Sequence, residues 1–429
     1  MKRFGLSRRD FLRGSAAVSA AAVIPEPASL FAAGSDTVKV GLVGCGSRGN
    51  QAMKNCIKAA QHLGLNIKIV ALADHFRDKA LTTAKEHQLS EDICFHGPTA
   101  YKQVLAGDAD IVMLVTPPVF RPRHFDAAIK AGKHVFMEKP VAVDPPGARK
   151  IIESGKLAEE KRLSVVAGTQ RRYQASYRKT LHAIENGAIG QLRSASIYWC
   201  MKHLWYKPQN PGESDADYMV RNWTSFTEMS GDHIVEQHLH QIDVANWFFG
   251  RTPKSALGFG GRARRKTGNQ FDFFTVEFDY DDGRRVHSMC RQIDDCYDLV
   301  AEFFTGARAS TFASNLDKSI DTSGIKFPDF PEAAGGPLVQ EHVELLQAVT
   351  EDKPINAARD VAESTLTAIM GRISAYTGQF VRFSELTDPE LKSPWYDLAL
   401  KPAPEDFETG TVSAPSENVV PVPGRDPKE

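Results

Sequence analysis

TVKVGLVGCGSRG occupies residues 37–49. Val38, Val40, Leu42 and Val43 form an almost continuous apolar run, the pattern of a strand buried in a parallel sheet. Gly44-Cys45-Gly46-Ser47-Arg48-Gly49 then turns the chain, and the following NQAMKNCIKAAQHL has helical spacing. Glycines at 44, 46 and 49 let backbone N–H groups approach a pyrophosphate at the helix N-terminus, where the helix dipole favours negative charge. Ser47 and Arg48 lie in the same turn and join the glycines as dinucleotide-binding candidates. GxGxxG alone is weak evidence. Its position between a strand and a helix is the context the mechanism needs.

The next strand, residues 67–73, ends at Asp74. A carboxylate there accepts both hydroxyls of an adenine ribose and repels a 2′-phosphate, which favours NAD over NADP. Arg77 nearby works against that preference. Residues 109–115 (ADIVMLV) form another buried strand, ending at Thr116-Pro117-Pro118 where a helix cannot continue. A helix over 123–131 stops at Gly132, and a strand over 133–137 ends at Glu138-Lys139-Pro140. This alternation predicts a doubly wound parallel sheet, whose ligands bind outside the strand carboxyl ends. Gly44, Asp74, Thr116, Pro117, Glu138 and Lys139 should therefore line one crevice. His124 is grouped with them as a cofactor contact.

The chain has 429 residues, room for two or three domains at ~150 residues each. Its formal net charge of -1 argues against a general attraction to nucleic acid or anionic membrane. Arg262 to Lys266 (RARRK) is read as a solvated basic face. Six cysteines without a CxxC pair exclude a disulfide scaffold and a zinc ribbon. Near the N-terminus, Arg8-Arg9 with Phe11 and Leu12 precede a short apolar run, Ala16 to Ile24, followed by small residues. That run is far short of the ~20 apolar residues a membrane span needs and reads as a twin-arginine export signal over 1–35. A periplasmic or otherwise exported protein is expected, folded with its cofactor before crossing. An exported setting permits a Cys290–Cys296 disulfide. No other segment is apolar and long enough to span a membrane.

GLVGCGSRG, the acid of ALAD, TPPVFRPRHFDAAIKAGKHVFMEKPVA and GTQRRYQASYRKTLHAIENGAIGQLRSA together resemble one known family. It is the glucose–fructose oxidoreductase, inositol dehydrogenase and rhizopine-catabolism (Gfo/Idh/MocA) family, and the resemblance runs from about Val38 to about Leu386. It implies an α/β fold: an N-terminal Rossmann domain and a C-terminal α/β domain on a large open, mainly antiparallel sheet. That sheet would form a substrate wall and an oligomer face. The resemblance places Lys139 near nicotinamide and substrate, with a cis Lys139–Pro140 bond. The expected organisation is a signal over 1–35, an NAD-binding domain over 36–165, a substrate domain over 166–392 and a tail over 393–429.

A second polar cluster lies in SGDHIVEQHLHQIDVANWFFG, residues 230–250. His233, Glu236 and His240 are spaced as one face of a helix, and an imidazole beside a carboxylate suits proton transfer near neutral pH. A metal site of His233, Glu236, His238 and His240 is the rival. The spacing is not HExxH and hydride transfer needs no metal, so none is expected. The family pattern D-x-G-x-H-x-x-D maps onto Glu236, His238, His240 and Asp243. His240 thereby inherits the proton-transfer role. Glu236 stands for the usual Asp and His238 for a Gly, which would crowd the pocket with acid/base groups. Lys139 would polarise the reacting hydroxyl. Asp243 either orients an imidazole or serves structure.

Further substrate-side candidates are Gln170, Arg172 and Tyr173, after a strand over 163–167. Arg172 either binds substrate or joins an ion pair. His203 and Trp205 precede a Pro/Gly loop, read as a carbohydrate platform or an ordinary surface loop. His233 and His238 complete the set. Strands are expected at 192–199, 271–280, 285–291, 299–304 and 309–312, with Asp281-Asp282-Gly283 closing a hairpin. Helices are expected at 339–350 and 357–376, the second stopped by Gly378. The tail after about 393 should wrap the surface or hang loose.

These features point to an exported NAD-dependent oxidoreductase taking hydride from a secondary hydroxyl of a sugar, glycoside or cyclitol, with the cofactor kept bound. One alternative is a glycosidase working by transient oxidation, elimination and re-reduction. Another is a non-catalytic sugar-binding protein on a Rossmann scaffold. A homo-oligomer, dimer or tetramer, is expected, and near-zero charge suits a neutral polyol.

Overall fold

β1 (Thr37–Val43) pairs in parallel with β2 (Asn66–Asp74) on one side and β4 (Ile111–Leu114) on the other. With β3 (Cys94–His96), β5 (His134–Met137) and β6 (Val165–Ala167) they form a six-stranded parallel sheet, ordered β3-β2-β1-β4-β5-β6. The strand order reverses between β1 and β4, so the crevice for a ligand opens at their carboxyl ends. This is a computed structural model, and it describes residues 37–424. The twin-arginine segment lies outside them.

Helices α1 (Ser47–Leu63), α2 (Arg77–Glu86), α3 (Tyr101–Ala106), α4 (Arg121–Lys130) and α5 (Pro145–Glu160) connect the strands. α1 buries Gly49, Ala52, Met53, Cys56, Ala59 and Ala60, an i, i+3, i+4 stripe laid on the sheet. It stops at Gly64, which takes the left-handed conformation of a helix C-cap.

α6 (Ala175–Glu185) leads into the second sheet, ordered β12-β11-β7-β10-β9-β8-β13. Its strands are β7 (Leu192–Met201), β8 (Ser255–Gly261), β9 (Phe273–Asp279), β10 (Arg285–Gln292), β11 (Leu299–Gly306), β12 (Ser310–Phe312) and β13 (Val381–Arg382). All neighbours are antiparallel except β10 and β7. β9 and β10 form the expected hairpin, with positive φ at Asp281 and Gly283. Alternate residues such as Ile197, Phe274, Val276, Phe278 and Phe304 form the core of this sheet. Its other face carries Leu257, Phe259, Phe273 and Phe312, all exposed.

Between β7 and β8 lie α7 (Asp215–Arg221), α8 (Thr227–Ser230), α9 (His233–Glu236) and α10 (Leu239–Phe249). The expected single helix through 233–240 is two. The chain breaks at Gln237-His238 because His238 turns into the core, where its Nε2 meets Ser288 Oγ at 2.7 Å. Asp232 caps the start of α9. It is fully buried at φ +69° and accepts N–H groups from His233 and Phe271 and the Tyr376 hydroxyl.

α11 (Pro337–Thr350) packs on α1, and its His342 ring meets Phe136 of β5 at 4.3 Å. α12 (Ala358–Thr377) serves both cores: Ala358, Val361 and Ala362 belong to the first, Leu366, Ile369 and Ile373 to the second. After α13 (Ser384–Thr387) the tail wraps the surface instead of hanging loose. Glu408 of α14 (Pro404–Thr409) pairs with Arg123 and Lys102, and Phe407 enters a third apolar cluster with Phe120, Tyr218 and Phe226. Glu417 accepts the hydroxyls of Tyr206 and Tyr218 and the Gly268 N–H.

All six cysteines are free, so the disulfide that an exported setting permits between Cys290 and Cys296 is not formed. Cys290 points into the core from β10, whereas Cys296 lies exposed in the turn that follows. No helix among the described residues is long and apolar enough to cross a membrane.

Candidate active site

Three glycines shape the crevice. Gly44 takes φ +102°, and a Cβ there would lie 2.6 Å from the Val115 carbonyl carbon. A Cβ on Gly49 would sit 1.8 Å from the Gly44 oxygen, so the turn and α1 close only on glycine. At Gly46 nothing lies within 4 Å of a Cβ. Above that open space α1 starts without a side-chain cap and without an acid in its first turn. Its first N–H groups thus face a cradle whose room and donors fit a pyrophosphate. Asp74 accepts N–H groups from Cys45 at 2.7 Å and Phe76 at 2.9 Å, which fixes its carboxyl at the end of β2. Burial raises its pKa above the ordinary value, against those two hydrogen bonds.

Arg121 is a part of the site that no sequence motif marked. It is fully buried and donates to the carbonyls of Leu114, Thr116 and Pro140. It thus ties the end of β4 to the turn after β5. His124 lies behind Thr116 and not in the crevice. Its ring stacks on Tyr101 at 4.1 Å, its Nδ1 lies 3.3 Å from Thr116 Oγ1, and burial depresses its pKa to about 3. Arg48 is likewise turned inward. Its Nη2 meets Glu138 at 2.5 Å and the buried Glu341 of α11 at 3.3 Å. Glu341 is pushed well above the ordinary carboxyl range by burial and by Glu138.

Lys139 follows β5, and its bond to Pro140 is cis, as expected. Its Nζ donates to the Glu236 carbonyl at 2.5 Å and to Glu236 Oε1 at 3.1 Å. One polar side chain from each sheet's neighbourhood is thereby joined. His240 sits beside them, stacked on Trp199 at 5.6 Å, with no hydrogen bond to its ring nitrogens among the described residues. Burial holds its pKa well below the ordinary value, and the cations Lys139, Arg171 and Arg48 add to that. Arg171 pairs with Glu302 at 3.1 Å, and its guanidinium lies 5.7 Å from the Trp199 ring centre.

Other candidates are not brought to this point. His233 is 2% exposed against Phe274, and His238 is fully buried. Among the described residues no three metal-ligating side chains converge. Asp243 does not reach an imidazole. It receives Arg172 Nε at 2.8 Å and Nη2 at 2.9 Å and the Ser364 hydroxyl at 2.8 Å, so Arg172 and Asp243 are an ion pair. His203 lies between Asp272 and Asp294. Trp205 is 48% exposed, edge-on to Trp223. Tyr173 is buried beside Arg178, and Gln170 is half-buried. Trp199 was missed, whereas Arg171 lies in the Gln170 to Tyr173 stretch expected near the cleft mouth. Period-two alternation from buried Ile197 would have placed Trp199 on the inner face of β7. Nothing local marks Arg121 or Glu341.

A six-stranded doubly wound sheet with a glycine cradle and an acid at the end of β2 defines an NAD-binding Rossmann protein. Residues 38–168 match the oxidoreductase family with an NAD-binding Rossmann fold, and 177–316 match the GFO/IDH/MocA C-terminal domain. The chain belongs to the GFO/IDH/MocA family of oxidoreductases. Residues 5–25 match the twin-arginine translocation signal, which points to export by that route. Inositol 2-dehydrogenase of Serratia proteamaculans is 29% identical over 214 residues, 49% of this chain and 54% of that protein. The enzyme of the same name from Burkholderia ambifaria is 28% identical over 220 residues, 51% and 57% of the two chains. The chain thus spans about half the length of the curated relatives it matches. A levoglucosan dehydrogenase in complex with NADH and levoglucosan superposes with TM-score 0.63 at 15% identity, covering 81% of this chain and 99% of that one. This last likeness is one of fold.

Proposed function

We propose that the chain is an exported oxidoreductase that oxidises a secondary hydroxyl of a sugar, glycoside or cyclitol. The observation that carries this is the meeting of Lys139, Glu236 and His240 at the carboxyl end of the first sheet. Bound NAD supplies the acceptor for the carbinol hydride. Lys139 Nζ holds the substrate oxygen and lowers the hydroxyl pKa. The neutral imidazole of His240 takes the hydroxyl proton as the carbon–hydrogen pair leaves, and a ketone remains. Glu236 fixes the ammonium. Inositol 2-dehydrogenases among the relatives favour a cyclitol or sugar. Elimination chemistry would need a second acid/base pair, and His238 lies in the core instead of beside Glu236. Retention of the cofactor is argued from the Asp74 end, where α7 is tied to the residue after Asp74: His75 Nε2 meets Asp217 Oδ1 at 2.5 Å. The test adds myo-inositol, methyl glucosides and free sugars to the NAD-loaded protein and follows absorbance near ~340 nm, with products identified by mass. No absorbance change with any of them would refute the reading.

Because His240 is held neutral, activity should persist below the ordinary histidine pKa of about 6.5. The acid limb of kcat against pH is expected under that value. A limb above 7 would contradict the role of His240.

A homo-oligomer is supported by the apolar outer face of the second sheet. Phe259 is 64% exposed there, beside Leu257. Phe259→Glu should shift the light-scattering mass of the purified protein toward that of a single chain. An unchanged mass would place the interface elsewhere.

A further inference from the structure

Sixteen consecutive residues, 231–246, run through the site, and all are buried except Gln237. An amide left open in an otherwise closed segment has a specific cause here. The break between α9 and α10 swings His238 into the core and leaves residue 237 half-buried.

The amide is also locked. Its Oε1 accepts the Trp199 indole N–H at 2.8 Å and the Gln292 amide at 3.2 Å. An indole N–H can only donate, so the atom facing it is the oxygen and the orientation is set by chemistry. Gln292 is itself held, because its Oε1 accepts from Arg265 Nη2 at 2.7 Å. With the oxygen used twice, the Nε2 donors of Gln237 carry no hydrogen bond among the described residues. They belong to the residue that follows Glu236, whose carbonyl accepts Lys139 Nζ, and they share Trp199 with His240.

We propose that Gln237 is a specificity-determining substrate contact, donating from Nε2 to an oxygen on the carbon next to the one oxidised. This rests on the oxidoreductase reading above. The ligand class is a vicinal diol or polyol: one oxygen goes to Lys139 and His240, and a neighbouring oxygen accepts from Gln237. A fixed neutral donor selects a hydroxyl or carbonyl oxygen at that place and penalises its absence, because the substrate-side hydrogen bond is then unmade.

The experiment uses the NAD-loaded full chain with myo-inositol, methyl α-glucoside and methyl β-glucoside, and the monodeoxy analogues of each. Gln237→Met keeps length and removes the donor. Gln237→Glu keeps shape, leaves an oxygen for Trp199 and Gln292, and replaces the donor by an acceptor. With the probe that wild type oxidises, both variants should raise KM about tenfold while kcat stays within about twofold. NADH affinity, read by fluorescence, should not change. Wild type should also disfavour one monodeoxy analogue about tenfold, and Gln237→Met should lose that discrimination. Trp199→Phe, which keeps the ring and frees the amide, should weaken the same discrimination. Unchanged KM and an unchanged deoxy profile in both Gln237 variants would overturn the inference and leave the oxidoreductase reading standing. If wild type oxidises none of the probes, the reading itself fails and the inference with it.

Discussion

Lys139→Met and His240→Asn should each lower kcat by about 10²–10⁴-fold. Both residues act on one proton. Lys139 makes the hydroxyl more acidic, and His240 removes its proton, so neither group compensates for loss of the other. The double variant should be little worse than the poorer single one, because residues that act as a unit are not additive. NADH affinity should survive in both, since the cradle at Gly46 and the carboxyl of Asp74 are untouched. Lys139→Met also leaves Glu236 without its cation, and that carboxylate is only 12% exposed. Some loss of thermal stability is expected there and none of that origin in His240→Asn. A variant that keeps more than about a tenth of wild-type kcat would remove that residue from the proton path.

Arg172→Met should destabilise the fold by about 3–5 kcal/mol and leave kcat and KM alone. The Asp243 carboxylate is 2% exposed and takes two of its hydrogen bonds from Arg172, with Ser364 supplying a third. Truncating the arginine strands a buried negative charge. Asp360, the other partner of Arg172, is 59% exposed and loses little. A fall in Tm of roughly 10 °C is expected. Replacing both residues, Arg172→Met with Asp243→Leu, should recover most of the loss, because a buried pair replaced by apolar groups is often neutral. If Arg172 instead bound substrate, KM would rise with little change in Tm, and the double replacement would not restore it.

Much of the architecture could be read in advance for local reasons. Strand β1, the glycine turn and α1 announce themselves through apolar runs, glycine and a 3.6 period within about thirty residues. Once strands and helices alternate, the carboxyl ends gather in one crevice, so the positions of Gly44, Asp74, Thr116 and Lys139 at strand ends follow from the sequence pattern. The β9–β10 hairpin and the stop of α12 at Gly378 rest on equally short signals.

The substrate side was read less well, and one residue shows why. His233, Glu236 and His240 share a face only if the helix runs unbroken. Burying His238 against Ser288 breaks it, removes His233 and His238 from the cleft and brings out Gln237.

The sequence by itself determined the Rossmann sheet and its NAD cradle, because local periodicity and glycine geometry are written within single elements, and its family resemblance singled out Lys139 and His240. The tertiary structure alone decided that Arg48 turns to Glu341, 293 residues away, that Arg172 serves Asp243, and that Gln237 stays half-open with its amide oxygen on Trp199. Ion pairs and buried hydrogen bonds are chosen by which elements pack together. Desolvation forces each buried charge to find a partner wherever packing supplies one, and no local pattern encodes that choice.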